Sequence, residues 1–321
     1  MNGIRTVAPG IYRIPVPFIS SSQTTNCYLV EEADGFTVID CGFSTKSTQS
    51  LWMKALASLE ISPRHINRII VTHHHIDHFG LAGWMQHLTD APVFMSEKAY
   101  RQAHYVWGED SPYAEHIRDL YLACGIPDAI LFRLMISVKQ YQSLVTELPQ
   151  VVTLSDHAIE LGEQRYTVYE TQGHAEGHLV LYGERSGILL AGDHILADTV
   201  PNLNFTCSFD VYPLRSYLPS LEMLSQLPAT LVLPGHGEPF TELAAVCGRI
   251  AAHYRSRLKQ LLHVCSAPKT LYEIYSELHG GTVIPSRLRY EIIEWKALAD
   301  HLVELGQLVE AERGMYGVCH Q

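Results

Sequence analysis

The strongest constraint on the fold is one local design used four times. Four short apolar segments read as β-strands, and each runs into a turn that carries histidine or aspartate. Ile66 to Thr72, rich in β-branched residues, ends in Thr72-His73-His74-His75-Ile76-Asp77-His78. Tyr166 to Thr171 continues through Gln172-Gly173 to His174. Leu189-Leu190-Ala191 continues through Gly192 to Asp193, and Leu231-Val232-Leu233 through Pro234-Gly235 to His236. Strand ends are where α/β proteins carry functional loops, and the glycines permit sharp turns and close backbone approach. A single histidine in such a place is more often a surface or satisfied core residue than a ligand. A set of imidazoles and carboxylates repeated after four strands is not explained that way.

The spacing carries chemistry. His73 and His75 are two apart, so in extended geometry they lie on one side and reach one ion. Asp77 and His78 follow once the chain has turned, within reach of a second ion nearby. Imidazole nitrogen with carboxylate oxygen suits zinc, with iron or manganese as alternatives. The expectation is a soluble protein whose two metal ions are held by His73, His75, Asp77, His78, His174, Asp193 and His236.

Around this design, strand-like and helix-like segments alternate. Strands are expected at Gly10 to Val16, Asn26 to Val30 and Phe36 to Asp40, with Asp34-Gly35 as a hairpin signal. Helices are expected at Ser47 to Leu59 and from Phe79 to about His87, then a strand at Pro92 to Met95. From about residue 98 to 146 helix formers dominate, which reads as a helical insertion or lid. Strands return at Tyr166 to Glu170, Leu179 to Tyr182 and Ile188 to Ala191, and a helix follows over Leu214 to Leu227. The division expected is a large domain over 1–254, which carries the metal-site residues, and a small tail over 255–321. In the tail, helices close on a two-stranded hairpin, the pattern of a winged-helix-like module.

Length and composition set outer limits. The 321 residues suit one large domain plus a smaller one. No apolar stretch is long enough to span a membrane, and Met1 to Val16 lacks the pattern of a signal peptide. The seven cysteines are scattered and form no C-x-x-C pair, which favours reduced thiols and a cytoplasmic location. The formal net charge of -11 opposes binding to phosphate backbones. In the tail, Arg287, Arg289, Lys296 and Arg313 are candidate phosphate contacts, but six acidic residues dilute them. Packing or homodimerisation is therefore favoured over nucleic-acid binding as the tail's role.

His73-x-His75-x-Asp77-His78 resembles, residue for residue, the H-x-H-x-D-H signature of the metallo-β-lactamase fold superfamily. Gly173-His174, Gly192-Asp193 and Pro234-Gly235-His236 are similar to its later motifs in order, and Asp40 to its first, mostly structural aspartate. The resemblance covers about residues 7 to 250. It implies a four-layer αβ/βα sandwich with metals at the edge of two sheets. It also implies His73, His75 and His174 on one metal, Asp77, His78 and His236 on the other, and Asp193 bridging. A bridging aspartate resembles the glyoxalase II, lactonase and RNase Z type of site. A group of zinc β-lactamases has a cysteine there instead.

The helical insertion and the tail resemble the hydroxyacylglutathione-hydrolase-like, or β-lactamase-like protein 2, subgroup. The third motif departs from G-H-T-P-G-H and reads Gly173-His174-Ala175-Glu176-Gly177-His178. The basic glutathione-binding segment of a dedicated glyoxalase II is missing, so glutathione thioesters are one candidate among several.

The function expected is hydrolysis of a small-molecule ester or thioester. Two metals lower the pKa of a shared water and supply a bridging hydroxide, with Asp77 orienting it. The alternatives are a lactonase, or a nuclease that uses the tail to hold RNA or DNA. His178 and His194 are expected to hydrogen-bond near the ligands, whereas His74 suits plain surface placement equally well. The insertion aromatics Tyr100, His104, Tyr105, Trp107, Tyr113 and Tyr121 at helical spacing read as core more readily than as pocket.

Overall fold

The computed structural model describes residues 3–19, 23–204, 212–311 and 314–319. Two sheets face each other. The first has seven strands in sequence order: β1 (Arg5–Ala8), β2 (Ile11–Pro17), β3 (Thr24–Glu32), β4 (Gly35–Ile39), β5 (Ile66–Ile70), β6 (Val93–Met95) and β7 (Val151–Thr153). Strands β1 to β4 pair antiparallel, and β4 to β7 pair parallel. The parallel half needs crossovers. Helix α1 (Lys46–Ser58) supplies one, and the single turn α2 (Ile76–Phe79) with α3 (Ala82–Thr89) supplies the next. Between β6 and β7 lie α4 (Glu97–Trp107), α5 (Tyr113–Ala123) and α6 (Asp128–Gln142), the expected helical insertion.

The second sheet contains β8 (Ala158–Leu161), β9 (Gln164–Thr171), β10 (His178–Gly183), β11 (Ile188–Gly192) and β12 (Leu231–Pro234). Helix α7 (Pro213–Ser225) connects β11 to its parallel neighbour β12. Every residue of β10 and β11 is buried, as strands covered on both faces must be. Alternation along β10 sorts the two faces. Leu179 and Leu181 join Tyr28, Val30, Ile39 and Ile70 between the sheets. Val180 and Tyr182 point to the other side, against Tyr217, Leu221 and Leu224 of α7. Outside the first sheet, Val38 and Ile69 pack with Trp52 and Met85. Helix, sheet, sheet and helix make the expected four-layer αβ/βα sandwich.

Helix α8 (Leu243–Val264) runs unbroken across residue 254, so the boundary expected there falls inside a helix. Beyond it come β13 (Lys269–Thr270), α9 (Leu271–Leu278), α10 (Pro285–Glu304), β14 (Leu308–Ala311) and β15 (Met315–Val318). The expected hairpin forms between β14 and β15, and β13 adds a third strand on β15. Thr270 opens α9 through a capping box with Glu273, satisfying two backbone donors reciprocally. Leu271, Ile274, Leu288, Ile292 and Trp295 share one core with α7, α8 and the insertion residues Ile117, Tyr121 and Leu134. The tail is thus fastened to the outer face of the second sheet.

Strands β1, β7 and β8 were not expected. They are short, and their exposed or half-exposed residues show no clean apolar alternation. The helix expected from Phe79 begins at Ile76 and breaks at Gly80-Leu81, which places Asp77 and His78 on α2 itself.

Candidate metal centre

The ends of β5, β9, β11 and β12 bring all seven sequence-selected residues to one edge of the sandwich, in two groups. In the first, Nε2 of His73 is 3.0 Å from Nδ1 of His75 and 3.4 Å from Nε2 of His174. In the second, Nε2 of His78 is 3.4 Å from Oδ2 of Asp77 and 3.3 Å from Oδ1 of Asp193. Nε2 of His236 is 3.2 Å from Oδ2 of Asp77 and 3.1 Å from Oδ2 of Asp193. The same Asp193 oxygen is 3.7 Å from Nε2 of His174, so this carboxylate touches both groups.

These separations fit ligand shells. Donors about 2.0–2.1 Å from one tetrahedral zinc ion stand roughly 3.3 Å apart. Nε2 of His78 and Oδ1 of Asp193 are also buried and make no hydrogen bond among the described residues. Such groups are costly to bury unless a cation completes them.

The far nitrogen of each imidazole that presents Nε2 is anchored on oxygen. Nδ1 of His78 lies 2.8 Å from Oδ2 of Asp40, that of His174 3.0 Å from the Asn202 carbonyl, and that of His236 2.8 Å from the Thr24 carbonyl. Nδ1 of His73 meets Oγ1 of Thr72 at 3.0 Å, and that hydroxyl donates to Asp40. Each anchor places the proton on Nδ1 and leaves Nε2 as a free lone pair. His75 is the exception: its Nδ1 faces His73, and its Nε2 lies 3.1 Å from the side-chain amide of Asn204.

Glycine makes the crowding feasible. A Cβ on Gly235 would stand 2.1 Å from Oδ1 of Asp193 and 2.8 Å from Cε1 of His78. Gly192 adopts φ +49°, and a Cβ there would lie 2.6 Å from the His178 ring.

The electrostatics of the two groups differ. Burial, reinforced by neighbouring imidazoles, holds His73 and His75 well below the usual histidine range, and burial lowers His174 against the pull of Asp193. All three are neutral, as ligands must be. Burial opposes charge on Asp77 and Asp193 too. His78 and His236 override it and keep both carboxyls well below the usual carboxylate range. Burial likewise disfavours protonated His78, but Asp193, Asp77 and Asp40 push its pKa well up.

The neighbouring histidines His178 and His194 hydrogen-bond beside the ligands as expected, and of the two placements open to His74 the buried one holds. His74 is buried, not on the surface, because Trp107 of the insertion covers it and donates Nε1–H to its carbonyl at 2.8 Å. His178 accepts the Asp193 backbone N–H at 3.1 Å and stacks on His73. His194 bonds Thr171 at 3.1 Å and Ser220 at 2.8 Å, and its ring tilts against that of His178.

Several supporting residues carried no sequence signal. Oγ1 of Thr25 donates to Oδ2 of Asp77 at 3.0 Å. Nδ2 of Asn26 donates to the carbonyls of Pro234 at 3.0 Å and Gly237 at 2.8 Å, fixing the His236 loop. Both arrive because the start of β3 pairs with that loop, Asn26 N–H donating to the Gly235 carbonyl.

The centre opens into a cavity of about 1170 Å³. Trp107, Tyr113 and Tyr121 of the insertion line it, whereas Tyr100, His104 and Tyr105 do not. The chain after β11 contributes residues 199–204, and 205–211 lie outside the described residues. The opposite contribution comes from α10 of the tail, through Arg287, Arg289, Tyr290 and Glu291.

Residues 23–236 match the family model described as the metallo-beta-lactamase superfamily, and the chain belongs to that superfamily. Membership places it among metallo-hydrolases, and the two histidine–aspartate groups suit the pair of ions such proteins typically bind. A named relative is the "Probable metallo-hydrolase YqjP" of Bacillus subtilis (strain 168), 29% identical over 283 residues, 83% of each chain. Among solved structures, the chain is similar to a metallo-beta-lactamase family protein from Thermus thermophilus. Identity is 30%, the TM-score is 0.87, and 98% of this chain and 100% of that one are covered. A beta-lactamase domain protein from Burkholderia ambifaria is 26% identical, with a TM-score of 0.86 over 99% and 96% of the two chains.

Proposed function

We propose that the protein is a dinuclear metal-dependent hydrolase that cleaves an ester or thioester. The observation that carries this is the convergence of two donor groups on Asp193. His73, His75 and His174 would hold one ion, Asp77, His78 and His236 the other, and Asp193 would bridge. Zinc suits the donors best, with iron or manganese as alternatives.

When bound, the ions supply Lewis acidity and a water of near-neutral pKa. The chain supplies positioning. Asp77, held by Thr25, is the carboxylate placed to orient the attacking water and take up its proton. Asp40, Asn202, Thr24 and Thr72 hold the imidazole rings in the orientation the shells need. Trp107, Tyr121, Val138 and Ile293 offer an apolar wall to an acyl chain and exclude bulk water. In the reaction, water oxygen bonds to the acyl carbon, the C–O or C–S bond breaks, and the proton leaves with the alcohol or thiol.

A nucleic-acid substrate is less well supported. Nζ of Lys296 is committed to Asp300, and Arg287 to Glu291. Arg289 lines the cavity, and Arg313 lies outside the described residues. The described tail therefore offers few free cations for a phosphate backbone. The arrangement of β13, α9, α10, β14 and β15 supports the winged-helix-like reading of the tail, with packing as its role.

The test is a panel of thioesters, esters, lactones and nucleic acids, run with metal analysis. His75→Ala and Asp193→Ala are expected to lose metal and nearly all thioester hydrolysis together. Full hydrolysis by demetallated enzyme would sink the mechanism.

A further inference from the structure

Arg289 differs from Arg287, the other arginine on the cavity wall, which pairs with the Glu291 carboxylate. Among the described residues Arg289 pairs with no carboxylate, although it is partly buried in the cavity that contains the metal-centre residues. Its guanidinium carbon lies 4.4 Å over the Tyr141 ring and 4.3 Å over the Tyr290 ring. Nη1 donates to Oγ of Ser137 at 3.1 Å, and Nη2 donates to the Tyr290 hydroxyl. Nε is buried and has no acceptor among the described residues.

Among the described residues, this is an oriented cation without a counter-charge. Ring faces offset only part of the cost of burying an unpaired charge. A guanidinium carries five N–H donors, and the described partners use only part of them. The aromatic rings and Ser137 hold the plane of the fork in place, which suits recognition of a carboxylate or phosphate. Arg287, on the same wall, is neutralised by Glu291 and leaves the role to Arg289 alone.

We infer that Arg289 is an anion-binding, specificity-determining residue, holding a carboxylate or phosphate on the substrate whose ester or thioester lies at the metal centre. The tail thereby acquires a role in substrate selection. The inference rests on the hydrolase reading above. It assigns the substrate class as acyl compounds with an apolar body and an anionic end.

The experiment uses matched pairs on the metal-loaded full chain. One pair is a hexanoyl thioester and its counterpart with a terminal carboxylate. The other is an acyl pantetheine and the same acyl phosphopantetheine. Thioether analogues of all four, which cannot be hydrolysed, give dissociation constants by calorimetry. Wild type is expected to favour the charged member of at least one pair by about tenfold to a hundredfold, the range of one charge-assisted hydrogen bond. Arg289→Gln is expected to erase that preference, and Arg289→Lys to keep part of it. The pair that responds identifies carboxylate or phosphate as the source.

Absence of preference in both pairs overturns the inference, and that comparison needs no variant. Loss of charged and neutral members by the same factor in Arg289→Gln also overturns it. If no thioester is hydrolysed but the analogues still show an Arg289-dependent preference, the hydrolase reading falls and the anion site stands.

Discussion

Nδ1 of His78 stands 2.8 Å from Oδ2 of Asp40, and Nε2 of the same ring faces both Asp77 and Asp193. The Thr72 backbone N–H fixes Asp40 in turn, donating to Oδ1 at 2.7 Å. One buried carboxylate thus sets the tautomer of a ring whose other nitrogen belongs to the centre. Asp40→Asn keeps the shape but can offer N–H where an acceptor is needed. The expected result is about a 10–100-fold weaker second ion, with the His73–His75–His174 group still loaded. Competition against a chromophoric chelator measures this directly. Two ions bound with wild-type affinity would contradict it.

Gly235→Ala is the most economical test of the crowding. The new Cβ would meet Oδ1 of Asp193 at 2.1 Å and Cε1 of His78 at 2.8 Å, and both residues are buried. Overpacking of this kind costs about 1–3 kcal/mol. Metal content should fall along with thermal stability. A variant with full metal content and an unchanged melting temperature would show that the site is looser than described.

Protons and metal compete at the second group. Burial lowers the pKa of His236, but Asp193 and Asp77 override it and push it up to about 10. Unfolded histidine titrates at roughly 6.5. In the metal-free chain this raised value adds stability that is fully present below about pH 6.5 and is lost as pH rises through about 10. Ligation needs the neutral ring, so metal uptake at neutral pH should release protons, and apparent affinity should climb with pH. Zinc titration in weak buffer with an indicator dye checks this. Uptake without proton release would contradict it.

The tail should show little affinity for nucleic acid. Lys296 lies 2.6 Å from Asp300 and the chain as a whole is acidic. A gel shift with single-stranded RNA and with DNA is expected to be blank. A shift that weakens steeply with salt would revive the nuclease alternative.

What the sequence made legible follows from where the information lies. The seven centre residues each sit beside a glycine or within one dense motif at a strand end, so type and spacing sufficed to single them out. The buried strands β10 and β11 were legible for a similar reason, since their apolar runs are continuous. Thr25, Asn26 and Asn204 were not legible, because they reach the centre through long-range strand and loop pairing. The placement of His74 was left open because Trp107, which donates to its carbonyl, comes from the insertion. Arg289 lay in a tail that reads as separate, and only the shared core brings α10 to the cavity.

The central claim is that two ions act together at a carboxylate-bridged centre. Elemental analysis of the purified chain, paired with thioester hydrolysis before and after chelation, tests it most directly. The account predicts about two ions per chain, hydrolysis abolished by their removal and restored by adding metal back. Full hydrolysis by the metal-free chain, or full activity with a single ion, would contradict it.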